Sequence, residues 1–375
     1  MVDERVRDIP YVNLPAQFAE ERDELMPLIE DALRRGDYVG GEAISALEDE
    51  LEAMLSVRHA VTLKSGTDAL IFALIALGVG EGDEVITPPN SFIASTSAIV
   101  HAGARPVFAD VGPDQDIDPL AIAHAITPKT RAIMPVHLTG RVCDMEAISQ
   151  LAKDHGLAIV EDAAQSIGSR YRGRFSGALG DVGCFSLHPL KNLNAAGDGG
   201  VLTTNDDAIA DRARRLRNHG LSDRNTVEEF GFVSRLDTVQ AVVVRFRLQR
   251  LERVIAQRRR NAEIYRATLD RGWIYIPEDR NEAFDTYHTF VVQVDRRDEL
   301  KAYLAANGIG TAIHYPIPIH LQPAARSLGY REGDFPVTET QAKRILTLPV
   351  NPSLEADDVR FVADRVNQFF SRTQA

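Results

Sequence analysis

The apolar run Val182-Gly183-Cys184-Phe185-Ser186 leads into Leu187-His188-Pro189-Leu190-Lys191, and Gly197-Asp198-Gly199-Gly200 follows shortly after. A lone loop lysine is ordinarily a solvated charge. Lys191, however, follows an apolar strand and is expected to be closed in by Phe185, Leu187, Leu190 and Leu193. Desolvation lowers the pKa of a lysine and makes its amine a usable nucleophile, as Schiff-base chemistry requires. The glycines let backbone pass close to a flat ligand on its way into the next strand. Upstream, Ile159-Val160-Glu161-Asp162-Ala163-Ala164-Gln165 delivers two carboxylates at the end of a strand, where open α/β sheets bind ligands. A carboxylate there can hold a cationic ring nitrogen, and Gln165 can donate to a phenolate oxygen; a helix-capping Asp is an equally good reading. Earlier still, Lys64-Ser65-Gly66-Thr67-Asp68 is a polar turn opening a helix. Its free amides and hydroxyls suit an anion, although taken alone the segment reads better as an ordinary helix start with Ser65 or Thr67 as N-cap.

These segments need a frame to bring them together. Short apolar strands are expected at Ala60–Leu63, Glu84–Thr87, Pro106–Asp110, Ala132–Val136, Ala158–Glu161, Val182–Ser186 and Val201–Thr204. Helical periodicity fills 67–78, 92–102 and 145–155 between them. Strands alternating with helices argue for a mostly parallel sheet covered on both faces. Two helices precede this region, at about 17–35 and 43–57, the first with Phe18, Leu25, Leu28, Ile29 and Leu33 at helical spacing. The pattern changes near Asp237, where one long helix is expected to run to about residue 268. Strand Thr289–Val294, a helix at 297–307 and a helical C-terminus then form a smaller α/β unit. The expected division is a large domain at 1–245 and a small C-terminal domain at 246–375, with the boundary inside the long helix.

Composition narrows the partners. The chain has 375 residues, 44% hydrophobic and 26% charged, with a formal net charge of −12. Such a balance argues against nucleic acid, which is bound by basic surfaces. The arginine clusters Arg212, Arg214, Arg215, Arg217 and Arg258, Arg259, Arg260 read as solvated helix faces. Cys143 and Cys184 suit neither a disulfide framework nor a zinc site, so a reducing compartment and no metal are expected. The acidic, polar start Met1–Arg5 is unlike a signal peptide, and no apolar run approaches the roughly 18 residues that span a bilayer. A cytoplasmic protein without membrane contact is the expectation. Gly78-Val79-Gly80-Glu81-Gly82 follows a helix and precedes a strand, the reverse of a dinucleotide fingerprint.

The order of the three segments resembles the sugar aminotransferases of the DegT/DnrJ/StrS group, pyridoxal-phosphate enzymes of fold type I. The resemblance runs from about Pro10 to about Pro352. It includes Thr87-Pro88-Pro89-Asn90-Ser91-Phe92-Ile93-Ala94-Ser95-Thr96, Pro135-Val136-His137-Leu138-Thr139-Gly140, Asn218-His219-Gly220, Ser234-Arg235-Leu236-Asp237 and His314-Tyr315-Pro316-Ile317-Pro318-Ile319-His320-Leu321-Gln322. It implies an α/β fold with a mainly parallel sheet, a smaller C-terminal α/β domain, and an active site shared across a homodimer. It implies that Lys191 holds pyridoxal 5'-phosphate covalently and moves the proton, while Asp162 keeps the ring nitrogen protonated. Gln165 would bond the ring hydroxyl, Phe92 would stack on the ring, and Ser65, Gly66, Thr67 and Ser186 would hold the phosphate. Tyr315 and His320 would lie near the sugar nucleotide, and His188 on the substrate side as a proton-handling residue.

The implied reaction moves an amino group from an amino acid, L-glutamate, to a keto-sugar nucleotide by ping-pong half-reactions. Rival readings are a sugar dehydratase, whose members replace the lysine, a keto-inositol aminotransferase, and a non-catalytic cofactor-binding sensor. Two departures from the family pattern stand out. Asp198 occupies a position usually held by Glu. Val233 stands where many members carry the Asn that reaches the phosphate of the neighbouring subunit, and valine cannot donate a hydrogen bond. Arg235 or a nearby backbone amide is the expected replacement.

Overall fold

The computed structural model describes residues 7–372 of the chain; the Met1–Arg5 stretch lies outside them. Its main sheet has seven strands in the order His59–Leu63, Gly200–Thr204, Val182–Ser186, Ala158–Asp162, Thr130–Ile133, Glu84–Thr87 and Arg105–Phe108. Pairing is parallel from Val182–Ser186 to Arg105–Phe108. Only Gly200–Thr204 is reversed, antiparallel to both of its neighbours. A mainly parallel sheet is therefore what these apolar runs build. Most of their residues are buried, as expected of strands covered on both faces.

The helices start and stop for local reasons. Gly66–Ala76 begins where the Ser65 hydroxyl accepts from the Asp68 amide at 3.1 Å. Met145–His155 begins at Asp144 in the same way and ends on Gly156 at φ 65°, a left-handed conformation that glycine adopts without steric cost. Gly66–Ala76 packs on one face of the sheet in a core with Leu63, Phe72, Val160 and Leu202. Glu42–Leu55 and Thr238–Leu248 cover the other face through Leu47, Leu51, Phe185 and Val244.

Three expectations needed revision. The long helix is two, Thr238–Leu248 and Leu251–Thr268. At the joint the Arg250 amide bonds the Arg247 carbonyl, a tighter three-residue turn. The apolar spacing continues through that joint, so periodicity does not reveal it. Second, the arginine clusters are only partly solvated. Arg217 pairs with Glu48 at 2.5 Å and Arg212 with Glu229 at 3.1 Å, while buried Arg258 donates to the His288 carbonyl at 2.9 Å. Third, on helix Leu14–Arg35 Leu25 is buried, but Phe18, Leu28 and Leu33 are 45%, 46% and 44% exposed.

The C-terminal unit is an antiparallel sheet of Ile274–Tyr275, Phe290–Val294 and Ile345–Leu348. Helices Leu251–Thr268 and Ala356–Ser371 pack together around its apolar cluster. We propose the joint at Gln249 and Arg250 as the division between the two units. The small unit is pinned over the carboxyl end of the large sheet. Val337 and Thr338 donate backbone bonds to the Asp110 carboxylate, and Gln341 donates to the Gly112 carbonyl. Asp285 faces Arg141 at 3.4 Å across the same seam. A small sheet joining Ala283–Phe284 to Arg170–Tyr171 and Arg174–Phe175 adds a further tie. The carboxyl ends of the parallel strands thereby become a walled cleft.

Candidate active site

Lys191 lies in the turn that follows strand Val182–Ser186, its amide bonded to the His188 carbonyl at 2.8 Å. Leu187 and Leu193 are buried beside it, but Leu190 is 41% exposed and does not help to enclose it. Burial pushes the Lys191 ammonium down to about 8, against the opposing pull of the Asp162 carboxylate. His188 is exposed at the rim, where its Nδ1 accepts from the Leu190 amide at 3.3 Å.

Glu161 and Asp162 are consecutive on one strand, so their side chains leave on opposite faces. Glu161 is fully buried and accepts from the amides of Gly177, Leu179 and Gly180 at 2.7–2.8 Å. It also pairs with His137 Nε2 at 2.9 Å. Because the Cys143 amide donates to His137 Nδ1, the imidazole proton sits on Nε2 and points at Glu161. Glu161 is therefore a structural anchor for the loop 177–180. Asp162 is the functional candidate of the two. Its Oδ2 accepts from the Ser95 hydroxyl at 2.7 Å and its Oδ1 from the Ala164 amide at 3.2 Å. Burial pushes its carboxyl up, while Ser95, Ala164 and Lys191 pull the other way.

Other expected residues gather on the same side. Gln165 Oε1 accepts from the Thr139 amide at 2.8 Å. Phe92, 55% exposed, precedes helix Ile93–His101 and lies 5.7 Å ring to ring from Tyr315. Ser65, Gly66 and Thr67 open helix Gly66–Ala76 directly against Ser186. A Cβ at Gly66 would stand 2.8 Å from that of Ser186, and one at Gly200 would stand 2.2 Å from the Ser65 carbonyl oxygen. This close approach requires glycine at both positions. Although the Ser65 hydroxyl is engaged as the N-cap, the first amides of the helix and the Ser186 hydroxyl remain suited to an anion.

Two expected residues lie apart. His320 is 2% exposed, pairs with Glu339 at 3.0 Å and packs edge-on against Phe335, within the wall of the small unit. Arg235 is exposed and donates to Asn218 at 3.2 Å, and Val233 close by in sequence is exposed as well. Conversely, the structure adds residues to the surroundings of Lys191. His314, bonded to Thr347 at 2.9 Å, is pushed down to about 4 by burial and by Lys191. Burial and the cations Lys191 and Arg258 push His288 well down too, and the Tyr11 ring lies tilted 5.8 Å from that of His314. Burial and the nearby Lys191 charge thus both disfavour a proton on these two imidazoles. His314 belongs to a motif quoted above, but neither Tyr11 nor His288 carries a local pattern that marks it. Among the described residues, no group of three or more His, Cys, Asp or Glu is placed to hold a metal ion.

Such a site provides a desolvated amine, a buried carboxylate held by two donors, an amide, an exposed aromatic ring and an anion cradle. Residues 19–367 match the model of the DegT/DnrJ/EryC1/StrS aminotransferase family. One relative is the dTDP-3-amino-3,4,6-trideoxy-alpha-D-glucose transaminase of Streptomyces venezuelae, 43% identical over 97% of each chain. Another is the pleiotropic regulatory protein of Geobacillus stearothermophilus, 39% identical over 97% of this chain and 99% of the relative. Among solved structures, S. venezuelae DesV in complex with a ketimine intermediate superposes with a TM-score of 0.94 at 42% identity, covering 96% of this chain and 98% of that one. Bacillus subtilis NtdA with bound cofactor PMP gives a TM-score of 0.88 at 30% identity, covering 96% and 85%.

Proposed function

The chain belongs to the DegT/DnrJ/EryC1/StrS aminotransferase family, and from that premise we propose that it aminates a keto-sugar nucleotide for amino-sugar biosynthesis, with L-glutamate as donor. Pyridoxal 5'-phosphate is its cofactor. The residues present fit that group. The glycine-walled cradle of Ser65, Gly66, Thr67 and Ser186 would take the phosphate. Asp162 would take the ring nitrogen, Gln165 the ring hydroxyl and Phe92 the ring face. When bound, the cofactor supplies an electron sink for the carbon that gains or loses the amino group.

The chain's own residues do the remaining work. Lys191 would hold the cofactor through its amine and would carry a proton to and from the reacting carbon. Asp162 keeps a proton on the ring nitrogen. Tyr315 at the cleft and His188 at its rim line the approach of the sugar nucleotide, whereas His320 holds the Pro-rich loop from behind. The observation that carries this reading is the joint presence of desolvated Lys191 and ionisable Asp162 at the carboxyl ends of adjacent strands. Retention of Lys191 disfavours the dehydratase. The regulatory name of one relative raises the sensor reading, which lacks a use for a nucleophilic lysine. Keto-inositol remains an outcome of the test. Incubating the holoprotein with glutamate and dTDP- or UDP-linked 3-keto sugars should yield 2-oxoglutarate and an amino sugar. Amination of a keto-inositol alone would replace the sugar nucleotide, and no 2-oxoglutarate with any acceptor would overturn the reading.

The lowered Lys191 pKa has a direct kinetic consequence. Only the unprotonated amine attacks an aldehyde, so apoprotein should capture pyridoxal phosphate at a rate that rises through about pH 8. Growth of the visible band after mixing, followed from pH 6 to 10, checks this. A rate still climbing at pH 10 would place Lys191 in water.

The site is completed by a second copy of the chain in this reading. Phe230 is 99% exposed, and Phe232, Val233, Phe18, Leu28 and Leu33 are also left open, large apolar side chains that a partner surface would cover. The homodimer covers that surface and brings Arg235 towards the partner's phosphate cradle, where Val233 cannot donate. Phe230→Glu combined with Phe232→Glu should weaken association at least about tenfold, read by sedimentation, with activity falling in parallel. An active monomer would refute the shared site. Among the described residues no helix is long and apolar enough to cross a membrane. With Cys143 and Cys184 both free and buried, we place the protein in the cytoplasm.

A further inference from the structure

We propose that Ser95, backed by Ser91, is a positioning residue that keeps the Asp162 carboxylate ionised and aimed at the ring nitrogen of the cofactor. This rests on the cofactor assignment above. Ser95 lies in the first turn of helix Ile93–His101 and is fully buried, and Ser91 is 2% exposed. The Ser95 hydroxyl is 2.7 Å from Asp162 Oδ2, 3.1 Å from Ser91 Oγ and 3.4 Å from the Phe92 carbonyl. It has one proton to give. The shortest contact is also the charged one, so the proton goes to Asp162. Ser91 Oγ lies 3.1 Å from both Ser95 Oγ and the Phe92 carbonyl, and with its proton turned to Ser95 it gives a chain of two buried hydroxyls that ends on the carboxylate. Each bond in such a chain polarises the next.

The need for this chain follows from what surrounds Asp162. Its carboxyl is buried, and burial alone favours the neutral acid. A neutral acid cannot hold a proton on a ring nitrogen by charge. The groups within electrostatic reach are the Lys191 amine, the His137 imidazole, the Cys184 thiol and the Tyr315 hydroxyl, with Glu161 adjacent on the same strand. His137 is engaged by Glu161, and the Lys191 amine is the group consumed when the cofactor attaches. The fixed donors on Asp162 are therefore Ser95 and the Ala164 amide. Ser95 is the shorter by 0.5 Å, at 2.7 against 3.2 Å. Ser91, Phe92 and Ser95 share one turn, so the same segment sets both the ring face and the carboxylate.

The test is the dissociation constant of pyridoxal phosphate, measured by equilibrium dialysis of the full chain between pH 5 and 9. Ser95→Ala should bind about tenfold more weakly at neutral pH, the effect of one lost charge-assisted hydrogen bond. The acid limb of its profile should also move to higher pH, because an easier-protonated Asp162 loses its charge sooner. Ser91→Ala should move that limb the same way by less, and Ser95→Thr should restore it. An unmoved acid limb in both alanine variants would overturn the proposal, whatever the change in overall affinity. So would Ser95→Thr matching Ser95→Ala while melting like the wild type. Wild-type protein that binds no pyridoxal phosphate would instead overturn the cofactor assignment on which this rests.

Discussion

Lys191→Ala should lose the visible band of the cofactor-bound protein and lower amino transfer on the order of 10³-fold or more. In the proposed mechanism two functions would vanish together: covalent attachment and positioned proton transfer, the latter alone contributing about 10²- to 10⁴-fold. The fold should survive, because Lys191 makes no side-chain hydrogen bond or ion pair among the described residues and its charge is disfavoured where it stands. Removing a desolvated amine costs little stability, so the melting temperature should be unchanged or slightly raised. The phosphate cradle and Asp162 remain in this variant, and it should still bind pyridoxal phosphate noncovalently. A variant that keeps the visible band would show that another amine holds the cofactor.

The second large effect concerns the adjacent carboxylates. Asp162→Asn should reduce the glutamate half-reaction on the order of 10²- to 10³-fold, the scale of losing one preorganised electrostatic group. The amide keeps the shape of the side chain and an oxygen for Ser95, but it has no charge with which to hold a proton on the ring nitrogen. Stability should change little. Glu161→Gln should do the opposite. Glu161 accepts three backbone amides and pairs with His137 in a fully buried setting. A glutamine has one acceptor oxygen for four donors, and each unsatisfied buried donor costs about 1–3 kcal/mol. The melting temperature should fall, while the spectrum of whatever remains folded stays normal. Similar losses of stability in both variants would mean that Asp162, too, is structural.

Much of the frame is legible because its signals are local. Glu84–Thr87 and Val182–Ser186 are short apolar runs bounded by polar or glycine residues, and the strands keep those limits. Met145–His155 announces itself by Asp144 before and Gly156 after. The break at Gln249–Arg250 is illegible because the apolar period continues through it. Leu28 and Leu33 show the limit of periodicity from another side: the spacing marks an apolar face without saying which chain covers it. Glu161 and Asp162 look alike in one dimension, and only their alternation on a strand with different neighbours separates anchor from functional candidate. His320 shows the same limit, since the motif that marks it does not reveal that its Nε2 pairs with Glu339 in the wall of the small unit. Ser95, His288 and His314 gain meaning from partners 30 to 123 positions away, pairings that no short window of sequence contains.

The most direct test of Lys191-dependent transamination is the visible absorption spectrum of the purified holoprotein before and after glutamate. The expected result is a yellow band that gives way to the absorption of the amine form of the cofactor, and that returns when a keto-sugar nucleotide is added. A protein that shows no such band even after pyridoxal phosphate is supplied, or whose band ignores every amino acid offered, would contradict the reading of Lys191 and Asp162 as a transaminating pair.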